Sequence, residues 1–377
     1  MIQRCLVILA WFSFFSCQKK LENHAFTDSF ELEVVDSTLV IEQDFFLNGQ
    51  VEVKLIGDSL IAVSSFKSLA ISFFRVDGTE YGHISSREFP EAPFSPSSFD
   101  VTEFPVLHVL EHRRGTIHKF NVEQKSFIET KKLNLPEGKA PKFINSKFKV
   151  LPNGYLVELH SILFSASDPE YYRKCGNLIY IFDNDGEVLD SFLEYPDEYQ
   201  VNKGSILPNT YLVSNSFGNS INFSFPHEKK IKSFDLTNLE QNPKILHIPN
   251  SKYFDFALRE ADGIITMEER MAGVASPPLN DYFLSIHETK KQLLIQTWMY
   301  NKEVEDSREF LTHLITYDRL EGKWMELDVP RKLFELGSLA GIERDTLYFF
   351  EGFTINHDHK FIRRAVLKPL KKKTDLQ

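Results

Sequence analysis

The sequence predicts an all-β fold, and three observations lead to this prediction. Phe accounts for 34 of the 377 residues and Tyr for a further 13, a composition typical of strands. Short apolar or alternating runs are separated by turn signals such as Asp77-Gly78. Apolar residues are nowhere spaced at i, i+3, i+4 and i+7 with caps over ten residues, so long helices are not expected. Short helical turns alone are predicted, near residues 331–336 (RKLFEL).

Two nearly identical heptapeptides indicate an internal repeat. LPNGYLV at residues 151–157 and LPNTYLV at residues 207–213 share six of seven residues. Each joins a Pro-Asn turn signal to Tyr-Leu-Val, a run that favours strands. After the first copy, strands are predicted over residues 177–182 and 187–193, with a turn at residues 183–186 between them. A similar strand, turn and strand follow the second copy, so each heptapeptide is expected to open a unit of three or four antiparallel strands.

The same pattern recurs along the chain. First strands are predicted to begin near residues 58, 105, 151, 207, 292 and 345, mostly 46 to 56 residues apart. The single interval of 85 residues contains a long insertion around residues 267–281. A period of roughly 40–50 residues with four strands each is typical of a β-propeller, in which every small sheet covers the apolar faces of its neighbours.

The sequence therefore predicts a six-bladed β-propeller of four-stranded antiparallel blades. It would be seven-bladed if residues 262–266 open a blade of their own, and an irregular pair of β-sandwiches is the alternative fold. Early strands at residues 30–35 and 38–42 are expected to complete the last blade. Both ends of the chain would then lie in one sheet, which closes the ring and leaves few free strand edges.

The N-terminal residues MIQRCLVILAWFSFFSCQKK predict export and lipidation. Arg4 precedes an apolar run at residues 5–15, which is too short to span a bilayer and long enough for a secretory signal. Ser16 directly before Cys17 resembles the bacterial lipobox, in which the cysteine is lipidated, although Phe14 and Phe15 depart from its usual pattern. A plain signal peptide and an uncleaved anchor are the alternatives. The predicted division of the chain is a signal peptide at 1–16, a lipidated tether at 17–27, a single propeller at 28–370 and a basic tail at 371–377.

Cysteine usage agrees with this division. Cys5 lies in the removed segment and Cys17 carries the lipid, so Cys175 is left alone and no intramolecular disulfide is expected. Cys175 is interpreted as a small buried or loop residue and not as a nucleophile.

The net charge of the chain and the charges that follow Cys17 indicate which partners and which location to expect. The formal charge is −10, and loss of Arg4 with the signal peptide makes it −11. Such an acidic body disfavours nucleic acid and anionic lipid surfaces, so no nucleic-acid partner is expected and the membrane is contacted through the N-terminal lipid. Lys19 and Lys20 lack the acidic run that resembles a surface-export signal, which favours the outer membrane facing the periplasm.

Two segments contain residues that could ligate a metal. Asp183-Asn-Asp185-Gly186 suggests calcium, but its glycine is at position 4 where an EF-hand loop needs it at position 6, so a tight hairpin turn is favoured. His357 and His359 would share one face of a strand and could hold a divalent metal with a third ligand. An exposed polar turn is the simpler interpretation of this second segment.

The long insertion is the preferred place for a partner site, because ligand contacts concentrate in long loops on rigid scaffolds. Glu268 and Glu269 could serve acid–base chemistry, but adjacent side chains in a strand point apart, so a solvated loop is expected there. The sequence has no Gly-rich phosphate loop, GxSxG, HExxH or CxxC motif. No catalytic residue and no cofactor are predicted.

The lipobox, the polar tether and the degenerate repeat together resemble the lipoproteins of Bacteroidota that carry a six-bladed, TolB-like propeller and form a family of unknown function. The stretch DYFLSIHETKKQLLIQTWMY at residues 281–300 is similar to a hairpin of that family. The resemblance implies no catalytic residues. The expected function is a lipid-anchored envelope module that binds a protein, peptide or glycan. A propeller-mouth hydrolase or lyase using a divalent metal, and a purely structural envelope protein, are the alternatives.

Overall fold

The computed structural model describes residues 26, 28–43, 47, 50–65, 67–206, 212–300, 310–352 and 359–370. Strands dominate these residues and the helices are short, as predicted. The helices are α1 (Pro169–Lys174), α2 (Asp197–Gln200), α3 (Met267–Met271) and α4 (Leu333–Leu336). The helical turn predicted near residues 331–336 is confirmed by α4. None of these helices has the length and apolar content needed to cross a bilayer.

Strand β1 (Asp28–Leu39) comes first, and four separate antiparallel sheets follow it. The first sheet contains β2 (Gln50–Ile56), β3 (Leu60–Ser65), β4 (Ala70–Arg75) and β5 (Glu80–Ser85). The second contains β6 (Pro96–Asp100), β7 (Val106–Glu111), β8 (Thr116–Asn121) and β9 (Ser126–Lys132). The third contains β10 (Lys139–Pro141), β11 (Phe148–Leu151), β12 (Gly154–Ser161), β13 (Ile179–Phe182) and β14 (Val188–Phe192). The fourth contains β15 (Val213–Phe217), β16 (Ser220–Phe225), β17 (Lys230–Asp235) and β18 (Lys244–His247).

The other described strands join β1 in one ten-stranded sheet. They are β19 (Tyr282–Glu288), β20 (Gln292–Tyr300), β21 (Phe310–Thr312), β22 (Leu314–Asp318), β23 (Lys323–Leu327), β24 (Arg331–Lys332), β25 (Ser338–Glu343), β26 (Thr346–Glu351) and β27 (Phe361–Pro369). Their order is β24-β21-β20-β22-β23-β1-β27-β26-β25, and β19 pairs with β20. Strand β1 holds the two halves together, because it runs parallel to β23 and antiparallel to β27.

Both ends of the described chain therefore lie in one sheet, as predicted. The two early strands predicted at residues 30–35 and 38–42 are in fact the single strand β1, with a register shift between Val34 and Asp36. Phe26, in the predicted tether, also packs on the folded body, with its ring 6.5 Å from that of Trp324. The predicted signal peptide, the rest of the tether and the basic tail lie outside the described residues.

The predicted count of six or seven separate blades is corrected by this topology. The described residues form a propeller arrangement with four separate small sheets, and the remaining strands form one larger sheet. The physical reason is that β1 pairs with both β23 and β27 and so merges two groups of strands into one sheet. Local strand signals in the sequence do not indicate which strands pair. Residues 262–266, the predicted start of a seventh blade, contain no strand.

The predicted first strands are mostly second strands. β3, β7, β12, β20 and β26 begin near the predicted positions, and each is preceded in its sheet by β2, β6, β11, β19 or β25. Some of these earlier strands are interrupted by polar residues, as in PSSFD of β6, so they lack the apolar run that indicates a strand.

The two heptapeptides do not occupy equivalent places. The first runs from the end of β11 through a turn into β12, the second strand of its sheet. The last residue of the second copy, Val213, begins β15, the first strand of its sheet. Gly154 has φ 149°, and a Cβ atom there would overlap the carbonyl of Phe182, so the first copy requires glycine. The second copy has Thr at the matching position, 210, which lies outside the described residues.

Buried aromatic and aliphatic side chains fill the spaces between successive sheets. One cluster joins Phe73 of the first sheet to Phe120 of the second, and similar clusters join the following sheets in turn. The arrangement closes where Phe350 of β26 packs on Phe74 of β4, with ring centres 6.0 Å apart. Burial of one such side chain contributes roughly 1.5–3 kcal/mol, so these clusters are the main source of cohesion between sheets.

Candidate functional site

A cavity of about 760 Å³ lies where the first strands of the sheets meet. Its lining comes from β2, β6, β11, β15, β19 and β25, and so includes one inner strand from each half of the ten-stranded sheet. A volume of roughly 300–1,000 Å³ is usual for a small-ligand site. The segment between β10 and β11 adds Lys142 and Lys147 to this lining.

One part of the wall carries four lysines, Lys54, Lys142, Lys147 and Lys149, called here the lysine cluster. The Lys54 ammonium lies 3.2 Å from Glu52 Oε1 and donates a hydrogen bond to the carbonyl oxygen of Phe99. Glu52 Oε2 accepts hydrogen bonds from Ser98 Oγ at 2.6 Å and from the Phe99 backbone N–H at 3.3 Å. Both oxygens of Glu52 are therefore used, and these contacts join the inner strands of the first two sheets.

Asp100 ends β6 and is buried in the same wall. Its Oδ1 accepts a hydrogen bond from the Thr102 backbone N–H at 2.6 Å, and its Oδ2 accepts one from the Val150 N–H at 3.3 Å. Lys149 Nζ lies 3.9 Å from Oδ2 and donates to Thr102 Oγ1 at 3.0 Å. Burial raises the pKa of the Asp100 carboxyl, but the charges of Lys54 and Lys149 and the hydrogen bonds from Thr102 together outweigh this effect, so the pKa is lowered. Asp100 is thus ionised at neutral pH.

Lys147 precedes β11 and differs from the other three lysines. Lys142 forms an ion pair with the buried Glu158, and Glu158 Oε2 accepts a hydrogen bond from the Lys147 backbone N–H at 3.0 Å. Within the described part of the chain, the Lys147 ammonium group itself has no hydrogen bond and no ion pair. Burial lowers the pKa of Lys147, and the charges of Glu158 and Glu52 oppose this only in part. Lys147 is therefore a half-buried lysine that lines the cavity without a counter-ion among the described residues.

Small uncharged polar groups form another part of the wall. They are Ser214, Asn215 and Ser216 of β15 and Ser285 of β19. The amide oxygen of Asn215 is buried and has no hydrogen-bond partner among the described residues. These hydroxyl and amide groups can both donate to and accept from a polar ligand.

Two ionisable residues at the end of β19 also line the cavity. Glu288 pairs with Arg319 and accepts a hydrogen bond from Asn222; burial raises its pKa, and the Arg319 charge opposes this. His287 Nε2 lies 3.1 Å from Ser285 Oγ, and burial lowers the pKa of His287 to about 4. Glu343 of β25 also lines the cavity and lies 3.7 Å from Arg344 Nε. Since the His287 ring is neutral at pH 7 and Glu288 and Glu343 each have a cation, the charge left over on the described lining is positive and lies in the lysine cluster.

The residues that the sequence suggested as ligands are not in this cavity. Cys17 and His357 lie outside the described residues, and His359 is exposed. The described residues contain no group of three His, Cys, Asp or Glu placed to hold a metal ion. The turn predicted at residues 183–186 is confirmed, with Asp183 Oδ1 accepting from the Asp185 N–H at 2.8 Å. Cys175 is buried in a hydrophobic cluster, in agreement with its interpretation as a small buried residue.

The long insertion forms helix α3 and exposed loop. Glu269 closes a capping box with Thr266, its carboxylate accepting from the Thr266 backbone N–H at 2.8 Å. Glu268 and Glu269 lie in the first turn of this exposed helix, not in a strand or a cavity. The insertion is therefore apart from the cavity that the inner strands line.

The lysine cluster was missed by the sequence analysis, although a signal for it exists. In VEVKLI of β2 and in KFKVL at residues 147–151, charged and apolar residues alternate. This period of two places the charges on one side of a strand. Neither stretch was recognised as a strand, so the side shared by Lys54, Lys147 and Lys149 could not be inferred.

Comparisons with known proteins show that solved structures share the fold of this chain. No family model matches the chain, and no curated protein matches it in sequence. A DUF4221 family member from Bacteroides vulgatus ATCC 8482 is similar with a TM-score of 0.64 and 13% identity, over 91% of this chain and 99% of that one. A protein of Bacteroides fragilis NCTC 9343, named as an exported protein, is similar with a TM-score of 0.55 and 13% identity, over 92% of this chain and 97% of that one. At these identities the likeness shows a shared fold across most of the chain.

Proposed function

We propose that this protein is a binding module whose propeller holds a segment of a peptide, protein or glycan partner in the central cavity. The observation that carries the proposal is the cavity lining, in which charged and polar side chains from six inner strands surround a ligand-sized space. Polar atoms without a protein partner among the described residues, such as the buried Asn215 oxygen and the half-buried Lys147 ammonium group, are costly unless water or a ligand satisfies them. A rigid cavity with such groups is suited to binding.

The proposed location is the bacterial cell envelope, with a lipid on Cys17 holding the propeller at the outer membrane on the periplasmic side. The short apolar run before Ser16-Cys17 supports this, and so does the structural likeness to a protein named as exported. Phe26 packs on the body, so eight residues lie between it and the lipidated cysteine, and this segment spans at most roughly 30 Å. The cavity would thus remain close to the membrane surface.

Lipidation is tested by replacing Cys17 with Ser and expressing both forms in a bacterium with a lipoprotein pathway. The wild-type chain should sediment with membranes and carry a diacylglyceryl N-terminus by mass spectrometry. The Cys17→Ser chain should appear in the soluble periplasmic fraction. Membrane-bound wild-type protein with an unmodified Cys17 would contradict the proposed anchor.

Binding is tested by affinity capture from solubilised membranes with a cavity-filling variant. Ser214→Trp places an indole in the cavity, and Ser126→Trp adds the same group on the outer strand β9. The wild type and Ser126→Trp should retain the same partner, and Ser214→Trp should lose it while keeping its thermal unfolding temperature. Equal retention by all three proteins would contradict a cavity site, and the absence of any retained peptide, protein or glycan would favour a purely structural role.

A metal-dependent hydrolase or lyase gains no support from the described residues. That alternative depends on His357 and His359, of which only the exposed His359 is described. Metal analysis of the purified protein separates the two functions. Stoichiometric calcium or zinc that disappears in the His357→Ala/His359→Ala double variant would favour the enzyme.

A further inference from the structure

We propose that the cavity recognises a hydroxylated organic anion, with Lys147 as the group that holds its carboxylate, sulfate or phosphate. An acidic sugar, whether free or at the end of a glycan, is the simplest ligand of this class. The inference rests on the proposed binding function and adds the chemistry of the ligand. It is carried by the ammonium group of Lys147, which has no partner in the described part of the chain, and by the uncharged polar wall formed by β15 and β19.

The first argument is the balance of charge around the lysine cluster. Its four ammonium groups are accompanied by three carboxylates, those of Glu52, Asp100 and Glu158. Each of these carboxylates also accepts a backbone hydrogen bond. One positive charge is therefore left over locally, although the whole chain has a formal charge of −10.

The second argument is that Lys147 is available to a ligand. Lys54, Lys142 and Lys149 lie 3.9 Å or less from a carboxylate oxygen, whereas the described residues give Lys147 no such contact. Opposite charges about 4 Å apart attract each other strongly where the effective dielectric constant is about 20. An anion placed at Lys147 gains this attraction without breaking an existing ion pair.

The third argument comes from the uncharged wall. Ser214, Ser216 and Ser285 place hydroxyl groups on the lining, and the buried Asn215 amide oxygen lacks a partner among the described residues. These groups match a ligand that carries hydroxyls, each of which can donate and accept. A purely apolar anion would leave the Asn215 oxygen unsatisfied, which would weaken its binding.

The acidic net charge of the chain restricts the type of anion. A polyanion such as nucleic acid would be repelled at the surface before a single group reached the cavity. A ligand with one or two anionic groups and a neutral polar remainder avoids this repulsion. The cavity volume of about 760 Å³ admits such a ligand up to the size of a few sugar rings.

The test is isothermal titration calorimetry on the detergent-solubilised mature protein with three probes. Digalacturonate carries both carboxylates and hydroxyls, its dimethyl ester lacks the charges, and propionate lacks the hydroxyls. Digalacturonate should bind at least about tenfold more tightly than either of the other probes. Its affinity should also fall as sodium chloride is added, because salt screens the attraction.

Variants assign the effect to Lys147. Lys147→Gln should weaken digalacturonate binding at least about tenfold, Lys147→Arg should retain most of it, and Lys132→Gln on the outer strand β9 should leave it unchanged. Equal binding of the acid and its ester, no binding of the acid, or wild-type affinity in a folded Lys147→Gln protein would overturn the inference. If the acid does not bind while Ser214→Trp still abolishes partner capture, the ligand chemistry is wrong and the proposed cavity site stands. If both tests fail, the binding function fails with it.

Discussion

Lys149 Nζ lies 3.9 Å from the buried carboxylate of Asp100, and this contact joins the inner strands of two adjacent sheets at the cavity wall. The same carboxylate accepts the backbone N–H of Val150, which lies on the second of these strands. Asp100 is therefore both a structural connection between sheets and a source of the local electrostatic field. It balances part of the lysine cluster and leaves Lys147 as the lysine that is open to a ligand.

Replacement of Asp100 by Asn should destabilise the protein at neutral pH. The amide cannot offset the charges of Lys54 and Lys149, so we expect a loss of about 1–3 kcal/mol in the free energy of unfolding, measured by urea denaturation at pH 7. Asp185→Asn, in an exposed turn, is the control and should change the value by less than about 0.5 kcal/mol.

The effect of Asp100 should also depend on pH. Its pKa in the folded state is below the ordinary value of 3.8, so its ionised form stabilises the fold above that pH. This stabilisation is lost as the pH falls through the folded-state pKa. The difference in the free energy of unfolding between wild type and Asp100→Asn should therefore shrink below about pH 4. If this difference stays constant below pH 4, the assigned ion pair is contradicted.

Phe350→Ala tests closure of the arrangement of sheets. Phe350 packs on Phe74 at the junction between the last strands and the first sheet, and its removal leaves a cavity in a buried cluster. We expect the free energy of unfolding to fall by about 3–5 kcal/mol. Leu320→Ala, in an exposed turn, should have almost no effect. A loss below about 1 kcal/mol for Phe350→Ala would mean that this junction is not a tightly packed contact.

Gly154→Thr makes the two heptapeptides identical and should be harmful. The glycine has φ 149°, and a Cβ atom would overlap the Phe182 carbonyl of the neighbouring strand. We expect at least about 2 kcal/mol of destabilisation by thermal or urea unfolding. Gly57→Ala is the matched control, because Gly57 also has a positive φ, of 59°, but no atom lies within 4 Å of its added Cβ. Similar values for the two variants would refute the close approach at Gly154.

His287 should make folding sensitive to mild acid. Burial lowers its pKa to about 4 in the folded state, below the value of 6.5 expected when it is solvated. The folded protein therefore resists protonation, and stability is lost as the pH falls from about 6.5 towards 4. His287→Gln should lose less stability than wild type over this interval. An equal loss in both proteins would show that His287 titrates like a solvated residue.

Local signals in the sequence were sufficient for part of the fold. The turns at Asp77-Gly78 and at residues 183–186 are found where Asp and Gly predict them, because these residues favour the backbone angles of tight turns. The strands beginning at Leu60, Val106 and Thr346 are predicted within two residues by their apolar runs. The pairing of the N-terminal strand with the C-terminal sheet also follows from the need to cover free edges.

The lysine side of the cavity could not be predicted, because β2, β6 and β11 lack a continuous apolar run. Lys147 and Lys149 alternate with Phe148 and Val150, which indicates a strand, but the interval is too short to be recognised alone. That Lys54 lies beside them depends on the order of sheets around the cavity, which is a property of the whole chain. The double pairing of β1 is similarly non-local, and for this reason the predicted number of separate blades was wrong.

The most direct test of the binding function is the protection of the cavity lysines in the partner-bound protein. Reductive methylation followed by peptide mass spectrometry gives the extent of modification at each lysine, with and without the partner captured from membranes. A ligand in the cavity should reduce modification of Lys147 and Lys54 several-fold and leave Lys132 on the outer strand unchanged. Equal modification of Lys147 in the free and partner-bound forms would show that the ligand binds elsewhere.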